Sequence, residues 1–128
     1  MLYKISSREV HKSLIYVKNR LIFCEVPETK AEIEKGFKHR DFIFEHHGML
    51  FDTHSRYQPL FTMRDVKFDL EAWFIGNDYT VKDIVPMRRM DGSTAYTSPL
   101  RIPIRYVIEV SKGYAGRHGI QLGDRVKI

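Results

Sequence analysis

The chain has almost none of the features that mark an exported or disulfide-linked protein. Cys24 is the only cysteine among 128 residues, which excludes an internal disulfide and any two-cysteine metal motif. Residues 1–18 contain no apolar segment of signal-peptide length. No segment approaches the roughly 20 apolar residues of a membrane span. We therefore expect a cytoplasmic protein without membrane contact, and Cys24 as a small core residue.

Recognisable catalytic motifs are also absent. The sequence has no Gly-x-Ser-x-Gly elbow, no phosphate-cradling glycine loop and no dinucleotide fingerprint. Four histidines fall within sixteen positions, but their spacing matches no zinc motif. We expect these histidines to be solvent-exposed, and we expect no metal and no cofactor. They are His39, His46, His47 and His54.

Long runs of one charge sign are missing as well. The net charge is +5 and the isoelectric point about 9.4, which is mildly basic. Basic residues interleaved with aromatic ones can follow a phosphate backbone and stack on bases. No sequence signature of a nucleic-acid-binding fold accompanies them, so a nucleic acid is an alternative partner, bound with steep salt dependence. The candidate residues are Arg88, Arg89, Arg101 and Arg105, near Tyr96 and Tyr106.

The remaining composition is that of an ordinary globular domain, with 43% hydrophobic and 29% charged residues. The length predicts a single domain over residues 1–128. Residues 14–17 and 21–26 have strand character, and Lys18-Asn19-Arg20 between them suits a hairpin turn. Thr29 and Glu32 have the spacing of a capping box, which predicts a short helix ending near Gly36.

Short apolar runs separated by turn residues fill the rest of the chain. Residues 69–75 predict a central strand because both of its faces are largely apolar: Leu70, Ala72 and Phe74 on one, Glu71, Trp73 and Ile75 on the other. Further strands are predicted at residues 49–51, 61–64, 79–85, 106–110 and 125–128. A loop is predicted at residues 52–59, and Pro86 is expected to end the strand before it. Residues 113–119 predict a turn or a single helical turn. Residues 87–103 form the longest irregular stretch, which we expect to be the most mobile loop.

This pattern of about seven or eight strands and one helix predicts an α+β, mostly β fold. We expect a small curled antiparallel or mixed sheet, barrel- or sandwich-like, with the short helix packed on it. An open sheet with a helix on one face is the alternative.

Several motifs, taken in order, resemble those of one known family. Residues 36–40 are similar to the family's Gly-Leu-Met-x-Arg, and Gly48-Met49-Leu50-Phe51 is identical to a typical family motif. Residues 61–66 resemble Phe-Trp-Met-Lys-Asn-Thr, and residues 70–75 resemble Leu-Asp-Ile-Ile-Phe-Ile. The family is the domain-of-unknown-function 192 family, also catalogued as uncharacterised protein family 0127. The resemblance covers about residues 23–126. It implies a compact β-rich domain with little helix and no established reaction or cofactor.

This chain departs from the family pattern at positions near the candidate site. Thr62 stands where the family usually has Trp, Asp65 replaces Asn, Glu71 replaces Asp, and Asp69 falls where Pro is usual. If the family's Trp stacks on a ligand, Thr62 changes that contact.

The main candidate site consists of charged residues within the most apolar part of the sequence. A buried charge costs several kcal/mol unless it is paired. These residues therefore either line a polar pocket, edged by residues 87–103, or form a structural ion-pair network. They are Arg40, Arg64, Asp65, Glu71 and Glu109, with Met63 beside them.

Two functional hypotheses follow from this site. The first is a non-enzymatic ligand-binding or accessory module that takes a small polar ligand or a protein partner. The second is a small hydrolase of a carbohydrate or phosphate ester, with Glu71 and Glu109 as acid and base. Its glycosidase version requires the two carboxyls to face one cleft, about 5–10 Å apart. Whether the protein is an enzyme stays open at this point, although the missing motifs favour a non-enzymatic role.

Overall fold

The computed structural model describes residues 10–128. Its regular elements follow the chain in the order β1 (His11–Val17), β2 (Arg20–Val26), α1 (Lys30–Lys35), β3 (His47–Tyr57), β4 (Leu70–Gly76), β5 (Val81–Met87), β6 (Pro103–Ser111) and α2 (Tyr114–His118). In this part of the chain, neither helix is long and apolar enough to cross a membrane.

All six strands join one mixed sheet in the order β1-β2-β3-β6-β4-β5. The β2–β3 pair is parallel and the other neighbouring pairs are antiparallel. Within residues 10–128 the sheet does not close, so β1 and β5 are its edges. The mostly β fold with a mixed sheet is therefore confirmed, in its open form, and the predicted helical turn at residues 113–119 is α2.

The sheet separates two apolar cores because side chains alternate between its faces along each strand. Both faces of β4 are buried along its whole length, which confirms the predicted central strand. The α2-side core includes Ile22, Trp73, Ile108 and Tyr114. The α1-side core includes Phe37, Met63, Phe74 and Val107.

The first hairpin and the first helix form as the local sequence predicts. Lys18 and Asn19 have left-handed φ values of 49° and 60° between β1 and β2, as a tight hairpin requires. The Thr29 hydroxyl accepts a hydrogen bond from the Glu32 amide at 3.1 Å, and the Glu32 carboxylate accepts one from the Thr29 amide at 3.1 Å. The capping box is therefore confirmed, and α1 ends before Gly36.

The C-terminal segment lies beside both edge strands. Tyr16 in β1 bridges Lys127, and Thr80, just before β5, bridges Arg125. Because one short segment reaches both edges, the sheet is strongly curled at this end. The strand predicted at residues 125–128 is wrong in extent, since within residues 10–128 this segment makes only these two bridges.

The strand predicted at residues 61–64 is also wrong. Phe61 makes a single bridge to Tyr96, and the chain then turns, with the Val66 amide donating to the Met63 carbonyl at 3.1 Å. Phe61 and Met63 still pack on the α1-side core. Their alternation therefore reflects burial of these side chains and not an extended ladder.

The loop predicted at residues 52–59 is largely strand. β3 continues to Tyr57, which pairs with Pro103 in β6. The register shifts between Asp52 and Arg56, and this irregularity explains the polar, turn-like residues within the strand.

Pro86 lies inside β5 and does not end it. β5 is an edge strand, and Pro86 is exposed. A proline without an amide hydrogen is tolerated at such a position.

Candidate functional site

A pocket of about 390 Å³ opens on the α1 side of the sheet. One wall comes from the end of α1 and the residues after it, the other from residues 60–66, and the floor from the sheet. Most of the lining is apolar, and the buried wall residues include Phe37, Phe51, Met63, Val66 and Leu70.

Glu109 is the buried charged residue of this pocket. It lies in the middle of β6, paired across the sheet with Met49 in β3 and Ala72 in β4. Its side chain shares the α1-side face with Val107, as the alternation predicts, and is only 6% exposed. Burial among apolar side chains raises the pKa of Glu109 to about 8, because the charged form loses its hydration there.

The Glu109 carboxyl has no partner within residues 10–128. No hydrogen bond or ion pair of this range includes it. Its oxygens are open to the pocket, since no fully buried side-chain oxygen or nitrogen of these residues lacks a hydrogen bond. Neither arginine of the predicted site pairs with it: Arg40 makes a two-pronged ion pair with Glu25 at 2.6 and 2.8 Å, and Arg64 donates to the Gly92 carbonyl. The Arg40 guanidinium also lies 5.2 Å from the centre of the Phe37 ring. Any partner for Glu109 must therefore come from the space of the pocket.

Two glycines of the sequence motifs shape this site. A Cβ added at Gly48 would lie 2.4 Å from the Glu109 carbonyl oxygen, so β3 and β6 approach closely only with glycine there. Gly36 has φ 47° and ψ −127°, a conformation that residues with a Cβ avoid. This turn directs Phe37 from the end of α1 into the α1-side core.

Glu71 lies on the opposite face of the sheet, which corrects its predicted place in the pocket. Its carboxylate accepts hydrogen bonds from the Trp73 indole at 2.9 Å and from the Gly113 and Ala115 amides at 2.7 and 2.9 Å. These contacts fasten the start of α2 to β4. Because Glu71 and Glu109 face opposite sides, they cannot act as acid and base on one substrate.

Arg64 and Asp65 do not line the pocket either. Arg64 is exposed and donates to the Gly92 carbonyl at 2.8 Å. Asp65 has φ 62°, and its carbonyl accepts from the His39 amide at 3.1 Å. Asp and Asn tolerate this left-handed conformation better than other residues with a side chain, which explains why an Asp suits position 65. Of the six predicted site residues, the structure brings together only Met63 and Glu109.

Residues 87–103 were predicted to edge the site, but none of them lines the pocket. The segment is organised around Asp91, whose carboxylate accepts from the Tyr96 hydroxyl at 2.6 Å and from the Ser93 amide and hydroxyl at 3.0 Å each. These hydrogen bonds, the one from Tyr96 first, hold the pKa of Asp91 well below its usual range. Tyr96 also exchanges two backbone hydrogen bonds with Phe61, at 2.9 and 2.7 Å. Through these hydrogen bonds the segment stabilises the 60–66 wall of the pocket without lining the pocket itself.

Three of the four candidate arginines for nucleic acid lie near opposite ends of β4. Arg88 and Arg89 follow β5 at the Leu70 end of β4, whereas Arg105 precedes Tyr106, the partner of Ile75 at the other end. Five residues of strand separate these ends, about 17 Å at a rise of roughly 3.3 Å per residue. The Arg105 guanidinium also pairs with Asp52.

The histidines do not converge on a metal site. Within residues 10–128, no group of three or more His, Cys, Asp or Glu side chains could hold a metal ion. His39, His46, His47 and His54 are exposed, as predicted. His118, which the sequence did not single out, lies between Arg20 and Glu45, with its Nε2 2.8 Å from the Glu45 carboxylate.

Sequence reasoning missed most of the pocket wall. Phe37, Phe51 and Leu70 come from segments far apart in the chain, and no local pattern joins them. Thr62 was the clearest indication of the pocket in the sequence, since it departs from the family pattern and does line the pocket. The helix-ending Gly36 before Phe37 was a second, weaker signal.

Known proteins resemble this chain over nearly its whole length. The model of the DUF192 family, described as uncharacterised ACR, matches residues 14–128. A crystal structure of a protein of unknown function from Novosphingobium aromaticivorans DSM 12444 is similar with a TM-score of 0.82 and 26% identity, covering 96% of this chain and 94% of that one.

A second crystal structure shares the fold. It belongs to a protein of Sinorhizobium meliloti 1021 described as a candidate transcription regulator, with a TM-score of 0.83 and 24% identity over 95% of this chain and 97% of that one. No curated protein matches the chain. Since the family model spans residues 14–128, the chain belongs to the DUF192 family.

Proposed function

We propose that this domain is a non-enzymatic ligand-binding module whose site is the α1-side pocket. The observation that carries the proposal is Glu109, a buried carboxyl facing a pocket of about 390 Å³ with no partner in residues 10–128. Small-molecule sites are typically concave, largely apolar and provided with a few polar groups. Burial among apolar side chains costs a carboxyl stability, and the Glu109 oxygens are open to the pocket, so a ligand in this space would contact them.

The chemistry around the pocket favours binding over catalysis. No serine, cysteine or histidine of the described residues lines it, and the second lining carboxyl, Glu34, is exposed on α1 at the mouth. Glu71, the predicted second catalytic group, faces the α2-side core. Glycoside hydrolysis by acid–base catalysis requires two carboxyl groups placed on either side of one bond, which a single buried carboxyl does not supply.

The pocket also differs from the polar site expected from the sequence. Its buried wall residues are apolar apart from Glu109, and its exposed charges, Glu34 and Lys35, lie on α1 at the mouth together with Lys38 just after the helix. A ligand that fits has an apolar body in contact with residues such as Phe37 and Met63. Its polar part would reach Glu109.

A blocking substitution tests this proposal. Leu60 is exposed and lines the pocket, so Leu60→Trp places an indole at the mouth without disturbing the core. Leu122→Trp, at an exposed turn away from the pocket, makes the same substitution as a matched control. We expect fragment molecules detected by ligand-observed NMR to bind the wild type and Leu122→Trp but not Leu60→Trp.

The control for folding is the melting temperature of both variants, which should stay close to that of the wild type. Fragments that bind Leu60→Trp as well as the wild type would contradict the proposal, and so would a library in which nothing binds the wild type.

A further inference from the structure

The hydrogen-bonding capacity of Glu109 restricts what the pocket can take. A protonated carboxyl offers one donor beside one acceptor, whereas an ionised one offers only acceptors. Because burial raises the pKa of Glu109 to about 8, the carboxyl is mostly protonated at neutral pH. A partner with a matching acceptor and donor side by side would satisfy both positions at once.

No charge of the described residues lies inside the pocket to favour ionisation. The sheet residues around Glu109, including Met49, Phe51, Leu70 and Ala72, are uncharged, and so is every lining residue of the 60–66 wall. The titratable groups that share the pocket are Glu34 and Lys35 on α1 and Lys38 after it. They lie at the mouth, where water screens them.

We propose that the pocket binds a molecule with an apolar, aromatic-sized body and a neutral head of the carboxamide type. The head would form a pair of hydrogen bonds with the Glu109 carboxyl, while the body contacts the Phe37, Phe51 and Met63 side chains. This inference rests on the proposed function, since it names the class of ligand for the same pocket.

A neutral head suits this site better than a charged one. An ammonium group would have to lose its own hydration and draw Glu109 into its ionised form, and both steps are unfavourable in an apolar cavity. A carboxylate head would bring a second negative group against Glu109 without a buried cation to balance it. A carboxamide buries no net charge and leaves no donor or acceptor of the carboxyl unpaired.

Three probes with one body separate these cases: 2-naphthamide, 2-naphthoate and 2-(aminomethyl)naphthalene. Their binding to the whole protein is measured by NMR titration at pH 6.5 and 9.5. We expect 2-naphthamide to bind best at pH 6.5 and up to about 30-fold more weakly at pH 9.5, where a carboxyl with a pKa of about 8 is ionised.

Two substitutions at Glu109 connect this effect to the carboxyl. Glu109→Gln keeps a donor beside an acceptor but does not ionise, so it should bind 2-naphthamide equally at both pH values. Glu109→Leu keeps the volume but not the hydrogen bonds, and it should bind at least tenfold more weakly at pH 6.5. Since Glu109→Gln shares every other titratable group, it also controls for the mouth residues Lys35 and Lys38.

The outcomes distinguish the ligand class from the site itself. Tighter binding of the amine or the carboxylate, lost in Leu60→Trp, would overturn the neutral head but keep the pocket as a ligand site. Amide binding that is unchanged by pH and by Glu109→Leu would likewise overturn the pairing with Glu109. If none of the three probes binds, or if Leu60→Trp binds them normally, the proposed function fails together with this inference.

Discussion

Replacing Glu109 by glutamine should remove a large pH dependence from the stability of this protein. The wild-type carboxyl has a pKa of about 8 when folded and about 4.5 when exposed to water. The folded state therefore holds a proton that the unfolded state releases. In this window, stability falls as pH rises.

The size of the effect follows from the two pKa values. They lie about 3.5 pH units apart, and each unit corresponds to about 1.36 kcal/mol, so the free energy of unfolding should fall by about 5 kcal/mol at most. The contribution is fully present below pH 4.5, decreases between pH 4.5 and 8, and is gone above pH 8. Glu109→Gln should match the wild type near pH 5 and be several kcal/mol more stable near pH 8.5.

Urea unfolding from pH 5 to 9 measures this difference. Trp73 is the only tryptophan and is fully buried, so its fluorescence reports unfolding of the central sheet. Carboxylates with lowered pKa values, such as Glu45 at about 2, lose their contribution only as pH falls through more acidic values. They therefore do not confuse the comparison above pH 5. Parallel stability curves for wild type and Glu109→Gln across this range would refute the reasoning.

Substitutions at three further residues test the roles assigned to other motif residues. Glu71→Ala should destabilise the fold by about 3–5 kcal/mol, because it leaves buried N–H donors without an acceptor. Chemical denaturation monitored by Trp73 fluorescence checks this. An unchanged free energy of unfolding would restore Glu71 as a ligand-binding candidate. Gly48→Ala should cost about 1–3 kcal/mol, because its Cβ would press on the Glu109 carbonyl, whereas an unaltered melting temperature would show that the two strands separate freely. Asp65→Val should cost about 1–2 kcal/mol at its positive φ while Asp65→Asn stays near neutral; equal melting temperatures for the two variants would remove the conformational explanation.

Local sequence was enough for the elements whose cause is local. The β1–β2 hairpin depends on Lys18 and Asn19 adopting left-handed conformations, and the start of α1 depends on the reciprocal bonds of Thr29 and Glu32. The central position of β4 was also predictable, because a strand with two apolar faces must be covered on both. The alternation correctly placed Glu109 with Val107 and Glu71 with Trp73.

Elements whose cause is distant from them in sequence were misread. Residues 61–64 alternate like a strand, but Phe61 pairs only with Tyr96 and the turn at Asp65 prevents a longer ladder. Pro86 ended the predicted strand, yet β5 continues because it lies at the sheet edge. Edge position depends on the order in which strands assemble, and no local pattern encodes that order.

The candidate site shows the same division. The sequence marked Glu71 and Glu109 as charges within apolar strands, and it placed each on a face of its own strand. Only the pairing of β4 with β6 decided that these faces are opposite, that Gly113 and Ala115 satisfy Glu71, and that an apolar pocket leaves Glu109 without a partner. The physical reason is that alternation determines facing within a strand, whereas the register and order of strands determine which side chains share a space.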